Sequence, residues 1–296
     1  MFFLLFFFIF LIGLIAGSFA NAIIYRLDTK ESIILGRSHC PQCSHTLSWK
    51  DLIPVFSFLV LRGKCRYCQK PISWQYPLVE LAMGILFLSI FLWQFNLSVD
   101  SNAQSIQFSI FLSQGVIPWK VAFQLFYYLL TVFFLVIIFV YDLKHYLIPD
   151  EIVYLAIVIA FLFQLFRTLN FEFVLKFVRQ PADWNLAFKT LVNPLLSAFF
   201  ASAFFLLIVL ISREKWMGMG DVKVAALMGL SLGWPNIVVA LFSAFFFGAI
   251  IGVGLIVLKK KNLKSEVPFA PFLITGTFIA IFWGEKVINW YLNFFL

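Results

Sequence analysis

Charge is scarce in this chain. Only 12% of its 296 residues are Asp, Glu, Lys or Arg, where a soluble domain carries roughly a quarter. That poverty excludes a water-soluble globule, because there is too little polar surface to cover one. No charged residue precedes Arg26. The opening stretch, Met1 to Tyr25, therefore lacks the basic start of a cleaved signal peptide and is too long for its apolar core. It reads as a membrane span. No Lys or Arg falls between residues 99 and 118, which places that loop outside by the positive-inside rule. No internal repeat of the kind transporters carry is evident. No glycine-rich nucleotide fingerprint of the Rossmann kind is present. Cysteine is limited to four residues, all in one hydrophilic segment.

What is there is apolar. Hydrophobic residues make up 62% of the chain, and Phe alone contributes 40. Apolar runs cover residues 1–25, 78–98, 119–141, 150–167, 191–212, 222–234, 236–258 and 268–293. They predict an all-α polytopic membrane protein with about eight transmembrane helices. The 222–234 run is short and rich in Gly, which suits a tilted, broken or re-entrant element. Only Pro235 divides it from the next run.

Residues 26–77 form the one long polar stretch. They hold Arg26, Lys30, Arg37, Lys50, Arg62, Lys64, Arg66 and Lys70 against Asp28, Glu31 and Asp51. The positive-inside rule makes this segment cytoplasmic and puts the N-terminus outside. Alternation then makes 142–149, 213–221 and 259–267 cytoplasmic, the last with Lys259, Lys260, Lys261 and Lys264. Segment 168–190 falls outside despite Lys176, Arg179 and Lys189. The net charge of +8 thus belongs to membrane topology rather than to nucleic acid. Three parts result: a first span at 1–25, a cytoplasmic insert at 26–77, and a polytopic core at 78–296.

The insert carries Cys40-Pro41-Gln42-Cys43 and Cys65-Arg66-Tyr67-Cys68, with 21 residues between the pairs. Two such knuckles can set four thiolates at tetrahedral corners around a zinc ion at ~2.3 Å. Lys64 and Arg66 favour thiolate. A rubredoxin-like iron, disulfides and free thiols are the competing readings. Disulfides are rare in the cytoplasm. Four sulfurs close the coordination shell, so the site reads as structural. Metal binding would supply much of the folding energy of so small an insert. His39 and His45 sit beside the first knuckle and read as ordinary polar residues rather than spare ligands.

Ionisable groups at membrane depth are costly and mark functional candidates. Asp150 and Glu151 open a span after Pro149, where a first-turn carboxylate simply suits the helix dipole. Glu285 and Lys286 suit a solvated end of the last span. Glu80, one turn inside its span, is a weak candidate. Asp142 and Asp221 stand apart, each at the cytoplasmic end of an apolar run. Asp221 lies in Gly218-Met219-Gly220-Asp221-Val222-Lys223, where Gly218 and Gly220 permit close backbone approach. Two carboxylates brought together cannot readily both ionise. Such a pair can activate water and protonate a leaving amine. The alternatives are an ion or proton relay in a transporter, with Asp142 and Asp221 as ligands, and a non-catalytic assembly scaffold.

Together the motifs resemble a family. They are GSFANAIIYRL at 17–27, RSHCPQC at 37–43, DLIPVFSFLVLRGKCRYC at 51–68, PISWQYPLVE at 71–80, DLKHYLIPD at 142–150, GMGDVKVAALMGLSLGW at 218–234 and PFAPFL at 268–273. In content, order and spacing the chain is similar to the bifunctional prepilin peptidases, the type IV leader peptidases of the GxGD group. The resemblance implies that Asp142 and Asp221 are the two catalytic aspartates, with Gly218, Gly220 and Lys223 supporting. It implies that Cys40, Cys43, Cys65 and Cys68 hold the metal of a cytoplasmic insert, and that 78–296 is an aspartyl peptidase core. Members often have Gly where this chain has Ala270.

The implied activity is removal of a short basic leader from type IV prepilin or pseudopilin precursors at the cytoplasmic face of the bacterial inner membrane. Methylation of the new N-terminal amine with S-adenosylmethionine follows. The implied partners are those precursors and the lipid bilayer.

Overall fold

The computed structural model describes residues 2–29, 31–32, 36–95, 119–168, 191–258 and 267–295. The loops expected at 99–118, 168–190 and 259–267 lie almost wholly outside these residues. The described residues form helices, with no strand. In chain order they are α1 (Phe2–Thr29), a 3-10 turn (Trp49–Leu52), α2 (Phe56–Val60), α3 (Gln75–Gln94), α4 (Trp119–His145), α5 (Asp150–Thr168), α6 (Asn193–Ser212), α7 (Met219–Leu232), α8 (Asn236–Val257) and α9 (Ala270–Phe295).

Seven of these helices are long and apolar enough to cross a membrane. The expectation of about eight spans is met except at α7. That helix has 14 residues, or ~21 Å of rise, against a hydrocarbon core of ~30 Å. Its end is fixed by a glycine cap and by a side chain from α6. Gly233, with φ +66°, caps it. The Asn193 side chain then clamps the next residue, accepting from the Trp234 N–H at 2.7 Å and donating to the Trp234 carbonyl at 3.0 Å. The soft boundary at Pro235 is therefore a real break, held from α6.

The chain divides into two compact units, residues 1–137 and 138–296, and α4 runs from one into the other. In the first unit α1 and α3 lie antiparallel in a fixed register. Phe6 meets Phe91 edge to face at 6.1 Å. A Cβ on Gly13 would stand 2.7 Å from the Gly84 Cα, and one on Gly17 would stand 2.6 Å from the Glu80 Cα. Asn21 Nδ2 donates to the Tyr76 carbonyl at 3.0 Å. Positions on α1 rise as those on α3 fall. Small residues let the two backbones touch, the usual source of helix association where lipid gives no hydrophobic drive. α1 continues a turn past Tyr25, and buried Arg26 satisfies the chain that leaves it. Its guanidinium donates to the carbonyls of Ser32 at 3.3 Å and Gly36 at 2.8 Å.

In the second unit α6 packs antiparallel to α7, with Gly229 directly against the Ala198 backbone. α8 packs against α9 in the same way, Gly276 lying on the Ala240 carbonyl and Gly284 beside Asn236. Gln164 of α5 donates to the Leu230 carbonyl of α7 at 2.8 Å. Short α7 is thus gripped on two sides, which fixes where its first turn sits.

Candidate active site

Asp142 lies in the last turn of α4 and Asp221 in the first turn of α7. Both belong to the second unit. They are 4% and 7% exposed. The structure brings them close enough for the charge of Asp142 to act on Asp221. Each carboxylate meets the start of a helix. Asp142 accepts the backbone N–H of Ala270, first residue of α9. Asp221 accepts the backbone N–H of Gly218, the N-cap of its own helix. Such N–H groups have no partner within the helix and suit an anion. Asp142 Oδ2 is buried and has no hydrogen-bond partner among the described residues. It is available to a shared proton, a water or a substrate.

Gly220 explains how α7 reaches this position. A Cβ there would sit 2.8 Å from Ile148 Cδ1 and 2.9 Å from its Cβ. The loop that carries Ile148 joins α4 to α5, so the missing side chain of Gly220 sets the distance between the two acid-bearing segments. Lys223 does not turn to the acids. Its Nζ donates to Asp150 Oδ1 at 2.7 Å and lies 5.0 Å from the Tyr154 ring centroid. It ties α7 to the first turn of α5. Asp150 and Glu151 are exposed there, as first-turn carboxylates on a helix. Glu285 and Lys286 are exposed near the far end of α9.

The first unit holds the cysteine cluster. The Sγ atoms of Cys40, Cys43, Cys65 and Cys68 lie within 4.8 Å of one another. All four are free thiols, Cys40 and Cys65 buried. A tetrahedron of thiolates about a zinc-sized ion has edges of ~3.8 Å, and the Cys40–Cys68 separation is 4.0 Å. The set fits one metal ion with little movement.

The two knuckles share one construction. Ser44 N–H donates to the Cys40 carbonyl at 2.9 Å, and Gln69 N–H to the Cys65 carbonyl at 3.0 Å. Ser44 and Gln69 both take left-handed backbone, φ 56° and 57°. Each knuckle is closed by an isolated antiparallel bridge, His39 to Thr46 and Lys64 to Pro71.

Burial works against a Cys65 thiolate, but bonds from the Cys68 and Tyr67 N–H groups and from the Cys40 and Cys68 thiols bring it down to about 7. Asp51 braces the second knuckle. It accepts from Arg66 Nε at 2.7 Å, Tyr67 O–H at 3.1 Å and Ser48 Oγ at 2.8 Å. Burial pushes its carboxyl up, and these bonds outweigh it, so the group sits below the usual range. The two histidines are engaged elsewhere. His39 meets Tyr25 O–H at 3.3 Å and Glu31 at 3.6 Å. The His45 ring packs on Tyr67 at 3.7 Å.

Sequence reasoning missed three partners. The N–H groups of Ala270 and Gly218 are backbone donors, which residue identity does not advertise. A helix start beside Pro268 and Pro271 was the available signal. Glu80, a weak candidate in the sequence, accepts the Val55 N–H at 2.7 Å and bonds to Ser18.

Two family models match. One, described as the bacterial peptidase A24 N-terminal domain, covers residues 11–95. The other, the type IV leader peptidase family, covers residues 129–253. A "Prepilin leader peptidase/N-methyltransferase" of Bacillus subtilis (strain 168) is 30% identical over 291 residues, 96% of this chain and 97% of that protein. Proteins of the same name from Aeromonas hydrophila and Legionella pneumophila are each 29% identical over 97% of this chain and 94% of their own length. No solved structure matches the chain.

Proposed function

The chain belongs to the type IV leader peptidase family, and from that premise we propose how its own residues carry out the chemistry. It is a polytopic membrane enzyme that removes the leader from type IV prepilins and N-methylates the new N-terminus. Asp142 and Asp221 are the catalytic pair in this reading. Two buried carboxylates this close hold one proton between them. The ionised member takes a proton from water, whose oxygen attacks the scissile carbonyl. The protonated member stabilises the developing oxyanion and the leaving amine receives a proton. One water is consumed, and the products are the leader carboxylate and the mature chain's free amine.

What supports this pairing is a single arrangement. Two acids from α4 and α7 lie buried and within electrostatic reach, each beside a helix N-terminus, with Asp142 Oδ2 unpartnered. The basic content of 26–77 supports a cytoplasmic insert, an external N-terminus and cutting at the inner face of the inner membrane. The cysteine tetrad is a structural zinc site in this reading, since four thiolates leave no open position. S-adenosylmethionine supplies the methyl group for the second activity. The described residues hold no glycine-rich strand-to-helix turn of the nucleotide-binding kind, so no residue is assigned to it.

The test is cleavage of a prepilin by the purified enzyme in lipid. Asp142→Asn and Asp221→Asn should each lower the rate by about 10³-fold or more, with membrane insertion and metal content unchanged. Near-normal cleavage by either variant would remove that residue from the pair. The mature product should also gain the mass of one methyl group when S-adenosylmethionine is supplied.

A further inference from the structure

Residues 49–60 are built unlike a loop in water. They lie between the two knuckles. The 3-10 turn Trp49–Leu52 leads in, the chain reverses at Pro54 and Val55, and α2 leads out. From Leu52 through Leu61 no residue is charged, while Lys50 and Asp51 precede and Arg62 and Lys64 follow. Ten uncharged residues, all apolar but Ser57, are too few to span a bilayer and suit a re-entrant or interfacial segment. Large side chains face away from the protein. Trp49 is 70% exposed, Phe56 61% and Leu59 65%.

The opposite wall identifies the surroundings. The segment and α1 enclose an apolar groove of about 650 Å³, with Leu11, Leu14 and Ile15 on one side and Trp49, Ile53 and Phe56 among those on the other. The three α1 residues belong to the interior of a candidate membrane span, Leu4–Thr29. Ile15 stands ~21 Å along the helix axis from Thr29. A face at that depth has hydrocarbon beside it, and whatever shares the groove with it does too.

Hydrocarbon demands that backbone polar groups find internal partners, and several N–H groups of this turn have them. Pro54 brings no N–H. Val55 takes φ +60°, and its N–H donates to Glu80 Oε2 at 2.7 Å. Glu80 is 7% exposed. Ser57 N–H then bonds the Ile53 carbonyl, and Leu59 N–H the Val55 carbonyl, both at 3.1 Å. A turn in water could leave its N–H groups to solvent. This one receives a buried carboxylate from α3.

We propose that residues 49–60 are a re-entrant element seated in one leaflet, with lipid acyl chains filling the groove against α1 and Glu80 satisfying the turn. Lys50, Asp51, Arg62 and Lys64 then lie at headgroup level, and the metal knuckles rest on the membrane surface. Part of the 26–77 insert is by this account within the bilayer. The proposal is independent of the acid pair, which belongs to the other unit.

The experiment places a photo-crosslinking amino acid at Phe56, at Leu59 and, as control, at exposed Gln42 in the full chain. Each protein is illuminated in bilayer nanodiscs of phosphatidylethanolamine and phosphatidylglycerol and its adducts are weighed. Acyl-chain adducts are expected at 56 and 59 and none at 42. Water-quenched label at 56 and 59 overturns the proposal. So does transfer of the adduct to an added prepilin peptide, which would make the groove a substrate site. Hydroxyl-radical footprinting of the unaltered chain in the same discs removes any doubt about folding. Trp49 and Phe56 should resist oxidation while Tyr67 is modified, and oxidation of Trp49 as fast as Tyr67 again overturns it.

Discussion

The cysteine cluster of the first unit and the acid pair of the second solve opposite problems. The cluster gathers its ligands from two short knuckles, and each knuckle's geometry is set within a few residues by its own turn and bridge. The acids come from helices far apart in the chain, and what sets their approach is helix packing, above all the bare backbone of Gly220 against Ile148. A site specified locally fails when its ligands or its metal are removed. A site specified by packing fails when a neighbour moves, even with both acids intact.

That contrast can be broken most forcefully through the metal. Chelation, or Cys65→Ser, should strip the ion and open residues 36–74 to protease while the helices of the second unit stay resistant. Leader cleavage should fall far less than it does in the Asp→Asn variants. Limited proteolysis beside a metal assay gives the answer, and an unchanged digestion pattern in metal-free protein would show that the insert does not depend on the ion.

A smaller effect should come from Gly220→Ala. The added Cβ must displace Ile148, moving Asp221 relative to Asp142, and a displacement of that order costs about tenfold in cleavage rate. Ile148→Ala in the same chain should restore much of it, as neighbours that share one contact do not add independently. If Gly220→Ala cleaves at the normal rate, Gly220 does not control the distance between the acids.

The mildest change is Asp51→Asn. It keeps the shape but loses the charge that Arg66 and Tyr67 bind. Arg66 is 45% exposed at its side chain, so solvent screens the pair and about 1 kcal/mol of knuckle stability is expected to go. Because the folded carboxyl lies below its usual value, its contribution is complete above the unfolded value of ~3.9 and disappears as pH falls through the folded one. Thermal unfolding of the insert, followed by proteolysis from pH 7 down to pH 3, should show Asp51→Asn weaker at neutral pH and converging on wild type in acid. Parallel curves would assign the loss to shape instead of charge.

Much of this was legible in the sequence for a physical reason. Long apolar runs can do little in water but become spans, and C-x-x-C pairs announce their chemistry by spacing. Asp142 and Asp221 stood out because charge at the end of an apolar run is expensive. What could not be read were partners made of backbone. Ala270 offers its N–H to Asp142 only because α9 begins there, and Val55 offers its own to Glu80 across 25 positions. Glu80 therefore read as an ambiguous interfacial acid, although it serves a turn. The weak eighth span was legible as an anomaly, but its cause, the Asn193 clamp on Trp234, lies in another helix.

Cys43 and Cys65 lie on either side of residues 49–60, and their sulfurs meet within 4.8 Å. A bound ion would therefore act as a clasp, closing a ring through the lipid-facing hairpin. Loop closure is entropically costly for a free chain, and a clasped ring has already met that cost. Loading the ion should then make insertion of the hairpin easier, so metal supply during biogenesis would govern how firmly this end of the enzyme is moored.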